Sequence, residues 1–154
     1  MLRRQFLGGA SRQLQPLAAV DRLGDAALGV MNTAQWSGDI DNPQNRKFVQ
    51  GFEAAYNRLP SVYAAQAYDT ALLLDSAVRK VGGNLADKDA LRAALKAADF
   101  QSIRGDFKFN ANHFPIQDYY LREVVKDDKG RLTNVIRGTV FEDHADPYAA
   151  ECRM

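Results

Sequence analysis

The sequence predicts an α/β fold. Apolar residues recur at helical spacing between Asn42 and Ala98, period-two alternation takes over from Gly105 to Phe141, and turn formers separate the segments. With 154 residues and 46% hydrophobic content, the chain is long enough for one domain with a moderate core.

The first segment, "RQFLGG" from Arg4 to Gly9, reads as a short strand leading into a loop. Arg3-Arg4 followed by Phe6-Leu7 also resembles a twin-arginine export signal. Such a signal continues into an apolar stretch, which Arg12, Gln13 and Gln15 interrupt here. "ALGVMNTAQW", Ala27 to Trp36, reads as a second, mostly buried strand that ends at "SGDIDNP".

A helix follows. Asn42 can cap it, Pro43 suits its first position, and Phe48, Phe52, Ala55 and Tyr56 share one face. "NRLPS" breaks the pattern. Ser61 caps the next helix, in which Ala64, Ala67, Ala71, Leu74, Val78 and Val81 form the expected core stripe, widened by Tyr68 and Leu72. Asp69, Ser76 and Lys80 are expected to face away from that core. Asp75 and Arg79 can pair across one turn, and Gly82-Gly83 ends the helix.

A third helix, about Asp87 to Ala98, buries Leu91, Ala94 and Leu95. "GDFKF" sets Phe107 and Phe109 on one side. "DYYLREVVK" and "RLTNVIRGTVF" form an antiparallel pair across "DDKG", with Gly130 at a positive φ. The tail "EDHADPYAAECRM" shows no periodicity. Two early strands without helices to cover a parallel sheet on both faces leave the inventory incomplete.

Composition excludes several functions. Twenty Lys plus Arg against nineteen Asp plus Glu leave a charge of +1, so no summed field draws the chain to nucleic acid or an anionic membrane. The longest apolar run, "TALLLDSAV", is shorter than a membrane span and contains an acid. Cys152 is the single cysteine, so no intrachain disulfide and no cysteine-rich zinc site can form. "EDHAD" groups Glu142, Asp143, His144 and Asp146, but no second cluster completes a metal shell. His113 in "NANHFPIQ" reads as a structural hydrogen-bonding residue. "FLGGAS" lacks the lysine and the glycine spacing of a phosphate loop, and no serine sits in a nucleophile elbow. The reading is a protein that is not an enzyme and uses no cofactor.

Three stretches together carry a family resemblance: "GDAALGVMNTAQWSGDIDNPQNRKFVQGFEAAY", "PSVYAAQAYDTALLLDSAV" and "IRGDFKFNANHFPIQDYYLREVV". They resemble the C-terminal part of branched-chain amino-acid-type periplasmic binding proteins, the solute receptors of ABC importers. "DPYAAECRM" is similar to the tail of a subgroup that takes up aromatic carboxylates as well as amino acids.

The resemblance implies an incomplete type I fold. Residues 1–36 would be the end of the second lobe with a crossover strand, 37–118 the C-terminal part of the first lobe, and 119–154 the return strands and tail. It also implies a small carboxylate or amino acid as solute, a membrane permease as partner, and a periplasmic parent. Tyr63 takes the place of a family aromatic that contacts the solute. Ala10, with Ser11 beside it, takes the place of an acid that pairs with a solute ammonium. That replacement implies a solute without an α-amino group, because a buried unpaired ammonium is costly. Cys152 would have lost any disulfide partner with the missing half. The alternative is an assembly fragment whose open strand edges form a swapped homodimer.

Overall fold

The computed structural model describes residues 23–152. The expected strand at Arg4–Gly9, the Arg3-Arg4 pair, Ala10 and Ser11 lie outside these residues.

Among the described residues, three α-helices form where local chemistry starts and stops them. Helix α1, Pro43–Tyr56, begins where Asn42 Oδ1 accepts from the Gln44 and Asn45 N–H groups at 2.8 and 3.4 Å. It ends at Asn57 in a left-handed conformation, φ 50°. Helix α2, Val62–Lys80, is capped by Ser61 Oγ, which accepts from Ala64 N at 3.2 Å. It runs out at Gly82 and Gly83, both at positive φ. Asp75 and Arg79 pair at 2.8 Å on its exposed side. Helix α3, Lys88–Ala97, starts at Asp87 and buries Ala94, with Leu91 and Leu95 half-buried.

Helices α1 and α2 find their core in each other. Trp36, Phe48, Ala65 and Ile103 are buried together, with Val49, Phe52, Val62 and Tyr68 packed around them. The Phe48 ring lies 4.7 Å from Tyr68 and 6.0 Å from Trp36. Each large side chain removed from water here contributes about 1.5–3 kcal/mol.

All strand pairings among the described residues are antiparallel. Strand β3, Pro115–Lys126, is central, and β4, Leu132–His144, follows one of its edges. The other edge is shared: β1, Met31–Ala34, pairs with Tyr120–Glu123, and β2, Lys108–Phe109, pairs with Pro115 and Ile116. Because β2 touches α3, β3 carries the chain from the helical layer into the sheet. The β3–β4 turn places Gly130 at φ 73°, as the "DDKG" sequence requires. Phe107 and Phe109 stack edge to face at 5.0 Å.

Several expectations are corrected. The second strand is only four residues long, and its side chains alternate between exposed and half-buried. A 3-10 turn at Gly24–Ala27 and Gly29 at φ 77° shorten it. On α1, Phe48 and Phe52 turn inward but Ala55 and Tyr56 are exposed. On α2 half of the expected core stripe is on the outside: Ala67, Ala71 and Leu74 are exposed and Ala64, Val78 and Val81 half-buried, whereas Asp69 is 3% exposed and Ser76 donates to the Asp99 carbonyl. The side chain of His113 is exposed at φ 61°, and its backbone N–H makes the local bond, to Asn110 O at 2.9 Å. The tail is more ordered than its pattern suggests. Strand β4 extends to His144, and Ala149–Glu151 form a 3-10 turn.

Candidate functional site

Tyr63 stands in the first turn of α2, 54% exposed, while Val62 and Ala65 on either side pack into the core. Ser61 takes up two N–H groups of that turn: its Oγ accepts from Ala64, and its carbonyl accepts from Ala65 at 3.0 Å. Helix geometry leaves the Val62 and Tyr63 N–H groups without intrahelical partners, at the positive end of a 19-residue helix. The position combines a flat aromatic face with a small field favouring anions.

Two buried polar clusters fix this helix and the strands beneath it. Asp69, six residues beyond Tyr63, accepts from Ser102 Oγ at 2.7 Å, Ile103 N at 3.0 Å and Arg104 Nε at 2.8 Å. Arg104 then donates to Gln117 Oε1 on β3 at 2.6 Å, and its guanidinium lies over the Phe107 ring at 4.7 Å. Helix α2 is thereby tied to the strand that leaves the helical layer.

The second cluster holds the connection between β1 and α1. Asn45, fully buried, accepts from Trp36 Nε1 at 2.8 Å, and its amide contacts the Ser37, Gly38 and Ile40 carbonyls at 3.1–3.3 Å. Arg122 reaches across from β3 to Asn32 and to the Trp36 carbonyl. Burial pushes the Arg122 pKa down, and the charge of Asp39 opposes that shift. Asp39 Oδ2 in turn accepts from Ile136 N on β4 at 2.8 Å.

A groove of about 320 Å³ opens between Gln35, the 104–107 turn and the β3–β4 pair. Its charged lining is Arg104, Asp106, Asp118, Glu142 and Asp143, and Arg104 is already paired with Asp69. Four carboxylates, of which Asp143 pairs with Lys108 at 3.4 Å, against one neutralised guanidinium leave the groove net acidic and unfavourable to an organic anion. Tyr63 does not line this groove. Of the three residues that the resemblance singled out, the described structure contains Tyr63 alone, so it brings no two of them together.

Sequence reasoning missed Asp69 and Arg122. Asp69 did carry a signal, since Val62, Ala65, Asp69, Leu72 and Ser76 fall on one helical face. Arg122 carried none, because a basic residue in a strand is ordinarily solvated.

Comparison with known proteins is consistent with this architecture. Residues 3–130 match the family described as periplasmic binding protein. A Leu/Ile/Val-binding protein homologue of Brucella abortus is 36% identical over 133 residues, 81% of this chain and 32% of the relative. Among solved structures, a Rhodopseudomonas palustris ABC-transporter solute-binding protein in complex with benzoate superposes with a TM-score of 0.75 at 40% identity, over 87% of this chain and 36% of that one. A second, from R. palustris BisB5 in complex with 3,4-dihydroxybenzoic acid, gives 0.74 at 32% identity, over 86% and 36%. The chain therefore spans about a third of the length of the relatives it matches. The sequence match over most of the chain and the shared backbone lead to one conclusion: this chain belongs to the periplasmic binding protein family, and its α/β structure corresponds to part of the type I fold.

Proposed function

We propose that the chain contributes one wall of the solute cleft in an ABC-type importer, and that the solute is an aromatic carboxylate lacking an α-amino group. The observation that carries this reading is the exposed Tyr63 ring beside the N-terminus of α2. An aromatic acid can stack on that ring and turn its carboxylate toward the free N–H groups. Two solved relatives hold benzoate and 3,4-dihydroxybenzoic acid, which supports the class. Ala10, where the resemblance implies an acid, removes the partner that an amino acid's ammonium would need.

In this reading residues 37–118 belong to one lobe, residues 1–36 and 119–154 belong to the other, and β1 and β3 are crossover strands. Pairing of β1 and of β4 with β3 in one sheet supports that division. The partner is a membrane permease, the compartment is the periplasm, and the role is capture without chemistry. A cleft needs two walls to bury a small ligand, so the 154-residue chain alone is expected to bind weakly.

The test is calorimetry on a receptor in which this chain replaces the matched third of the R. palustris benzoate-binding protein. Benzoate binding weakened tenfold or more by Tyr63→Ala, with no response to leucine, is the expected result. Tight leucine binding with no response to benzoate would overturn the solute class, and benzoate affinity indifferent to Tyr63→Ala would remove Tyr63 from the site.

A further inference from the structure

The helical layer and the β3–β4 hairpin keep separate cores. Trp36, Phe48, Ala65 and Ile103 pack with apolar neighbours from residues 40–68, while Ala27 and Val124 pack with Val30 and Leu132, and the two clusters share no residue. What joins the end of α1 to the tip of the hairpin is charge. Arg131 Nη1 lies 2.5 Å and Lys129 Nζ 3.5 Å from Glu53 Oε1, in the last turn of α1.

The hairpin holds Arg131 ready for that contact without help from α1. Asp127 Oδ2 accepts from Arg131 Nε at 2.8 Å and pairs with Nη2 at 2.7 Å, while Asp127 Oδ1 accepts from the Arg131 and Lys129 N–H groups at 2.8 and 2.9 Å. Nη1 is the part of the guanidinium turned to Glu53. If Glu53 withdraws, Arg131 keeps Asp127, and Glu53, with 24% of its side chain exposed, takes water in place of the pair. Neither charge is stranded. The Asp69–Arg104 pair is the opposite case, since at 3% and 13% exposure it cannot open without leaving a buried charge. A half-exposed ion pair adds little stability, is screened by salt, and can be broken and remade.

In the division proposed above, α1 lies in one lobe, the hairpin in the other, and β1 and β3 carry the hinge. The Arg122–Trp36 and Asp39–Ile136 bonds sit just beyond the end of β1, beside that hinge. Glu53 lies at the opposite end of α1, and residues 57–61 join that end to Tyr63 in the first turn of α2. Drawing the hairpin tip to Glu53 therefore draws the second lobe toward the end of the helical layer that presents Tyr63. We infer that Glu53, Arg131 and Lys129 form a releasable latch between the lobes that favours the closed cleft, a reading that rests on the lobe division and the Tyr63 cleft proposed above.

The latch is read by electron paramagnetic resonance distances between spin labels at Gln50→Cys on α1 and Asp128→Cys on the hairpin, both exposed positions, in the 154-residue chain carrying Cys152→Ser. The distance distribution should be narrow at about 0.05 M salt and broaden at about 0.5 M, where the pair is screened. Glu53→Gln should broaden it at low salt. Asp127→Asn, which keeps Oδ1 as an acceptor for the turn and leaves Arg131 to Glu53, should not. In the chimera with the R. palustris benzoate-binding protein, Glu53→Gln should weaken benzoate binding about two- to fivefold. A distribution indifferent to Glu53→Gln and to salt, equal broadening by Asp127→Asn and Glu53→Gln, or benzoate binding unchanged or tightened by Glu53→Gln would each overturn the inference. A parent chimera that does not bind benzoate defeats the proposed solute instead. The solute-free chimera then decides the latch by X-ray scattering, in which Glu53→Gln should enlarge the radius of gyration and an equal radius would overturn it.

Discussion

Arg122 Nη1, midway along β3, donates a 2.7 Å hydrogen bond to the backbone oxygen of Trp36, just beyond the end of β1. The same guanidinium reaches Asn32 Oδ1 through Nε at 3.0 Å and Nη2 at 2.5 Å, and Asn32 Nδ2 passes the chain of bonds to Asn134 Oδ1 on β4 at 2.7 Å. One buried cation thus sets where the chain leaves the sheet and enters the helical layer. Arg122→Lys keeps the charge but cannot span both acceptors. It is expected to destabilise the chain by about 2–4 kcal/mol, the worth of one or two charge-assisted hydrogen bonds. Urea unfolding measures this, and a change within about 0.5 kcal/mol would show that the network is dispensable.

Asp69 and Arg104 form the second tie between the layers. With 3% and 13% of their side chains exposed, they are shielded enough for loss of one partner to leave an uncompensated buried charge. Asp69→Ala should cost about 3–5 kcal/mol. Arg104→Met combined with Asp69→Leu should cost less than Asp69→Ala alone, because no charge is then stranded. A double-mutant cycle on unfolding midpoints decides it, and strict additivity would count against a coupled pair.

Acid should loosen the contact between α1 and the hairpin. Arg131 bridges Glu53 at 2.5 Å and Asp127 at 2.7 Å, and Lys129 lies 3.5 Å from Glu53. Hydrogen bonding from Arg131 holds the Glu53 carboxyl below its ordinary 4.5, against the effect of burial. At Asp127 burial pushes upward, but bonds from the Arg131 side chain and from the Arg131 and Lys129 N–H groups outweigh it and keep the pKa below 3.8. Both folded values lie under the unfolded ones, so this stability is fully present above the unfolded pKa values and is lost as pH falls through the folded values. Unfolding midpoints from about pH 6 to about pH 3 should fall less steeply in Glu53→Gln than in the parent chain. Parallel slopes would contradict the assignment.

Alkali acts at a different place. Burial, then the neighbouring charge of Asp118 and its hydrogen bond, push the Tyr120 phenol up to about 12. The folded state holds that proton after the unfolded chain has released its own near 10.0, so stability should drop as pH rises through that interval. Absorbance titration of the tyrosinates should show one late-titrating phenol that disappears in Tyr120→Phe. Its persistence in that variant would move the assignment to another tyrosine.

Tyr63, proposed for the solute cleft, should affect binding and not stability. At 54% exposure its truncation should change unfolding free energy by no more than about 0.5 kcal/mol. A larger loss in the isolated chain would make Tyr63 a packing residue.

Local features are legible in the order of the residues alone. Asn42-Pro43, Ser61, Gly82-Gly83 and the "DDKG" turn act over one to four residues, and each stands where its own chemistry requires. The role proposed for Tyr63 comes only through resemblance, because nothing in "SVYAAQ" distinguishes a cleft aromatic from a packed one. The sequence by itself determined the helices, their caps, the hairpin and the family. Only tertiary structure decided which side of α2 is covered, why Asp69 lies inside, and that Arg122 ties two strands to one loop. The physical reason is that periodicity reports how many apolar stripes a helix carries, not which of them meets a partner. A buried ion is set by groups distant in sequence: Asp69 by residues 102–104, and Arg122 by Asn32 and Trp36.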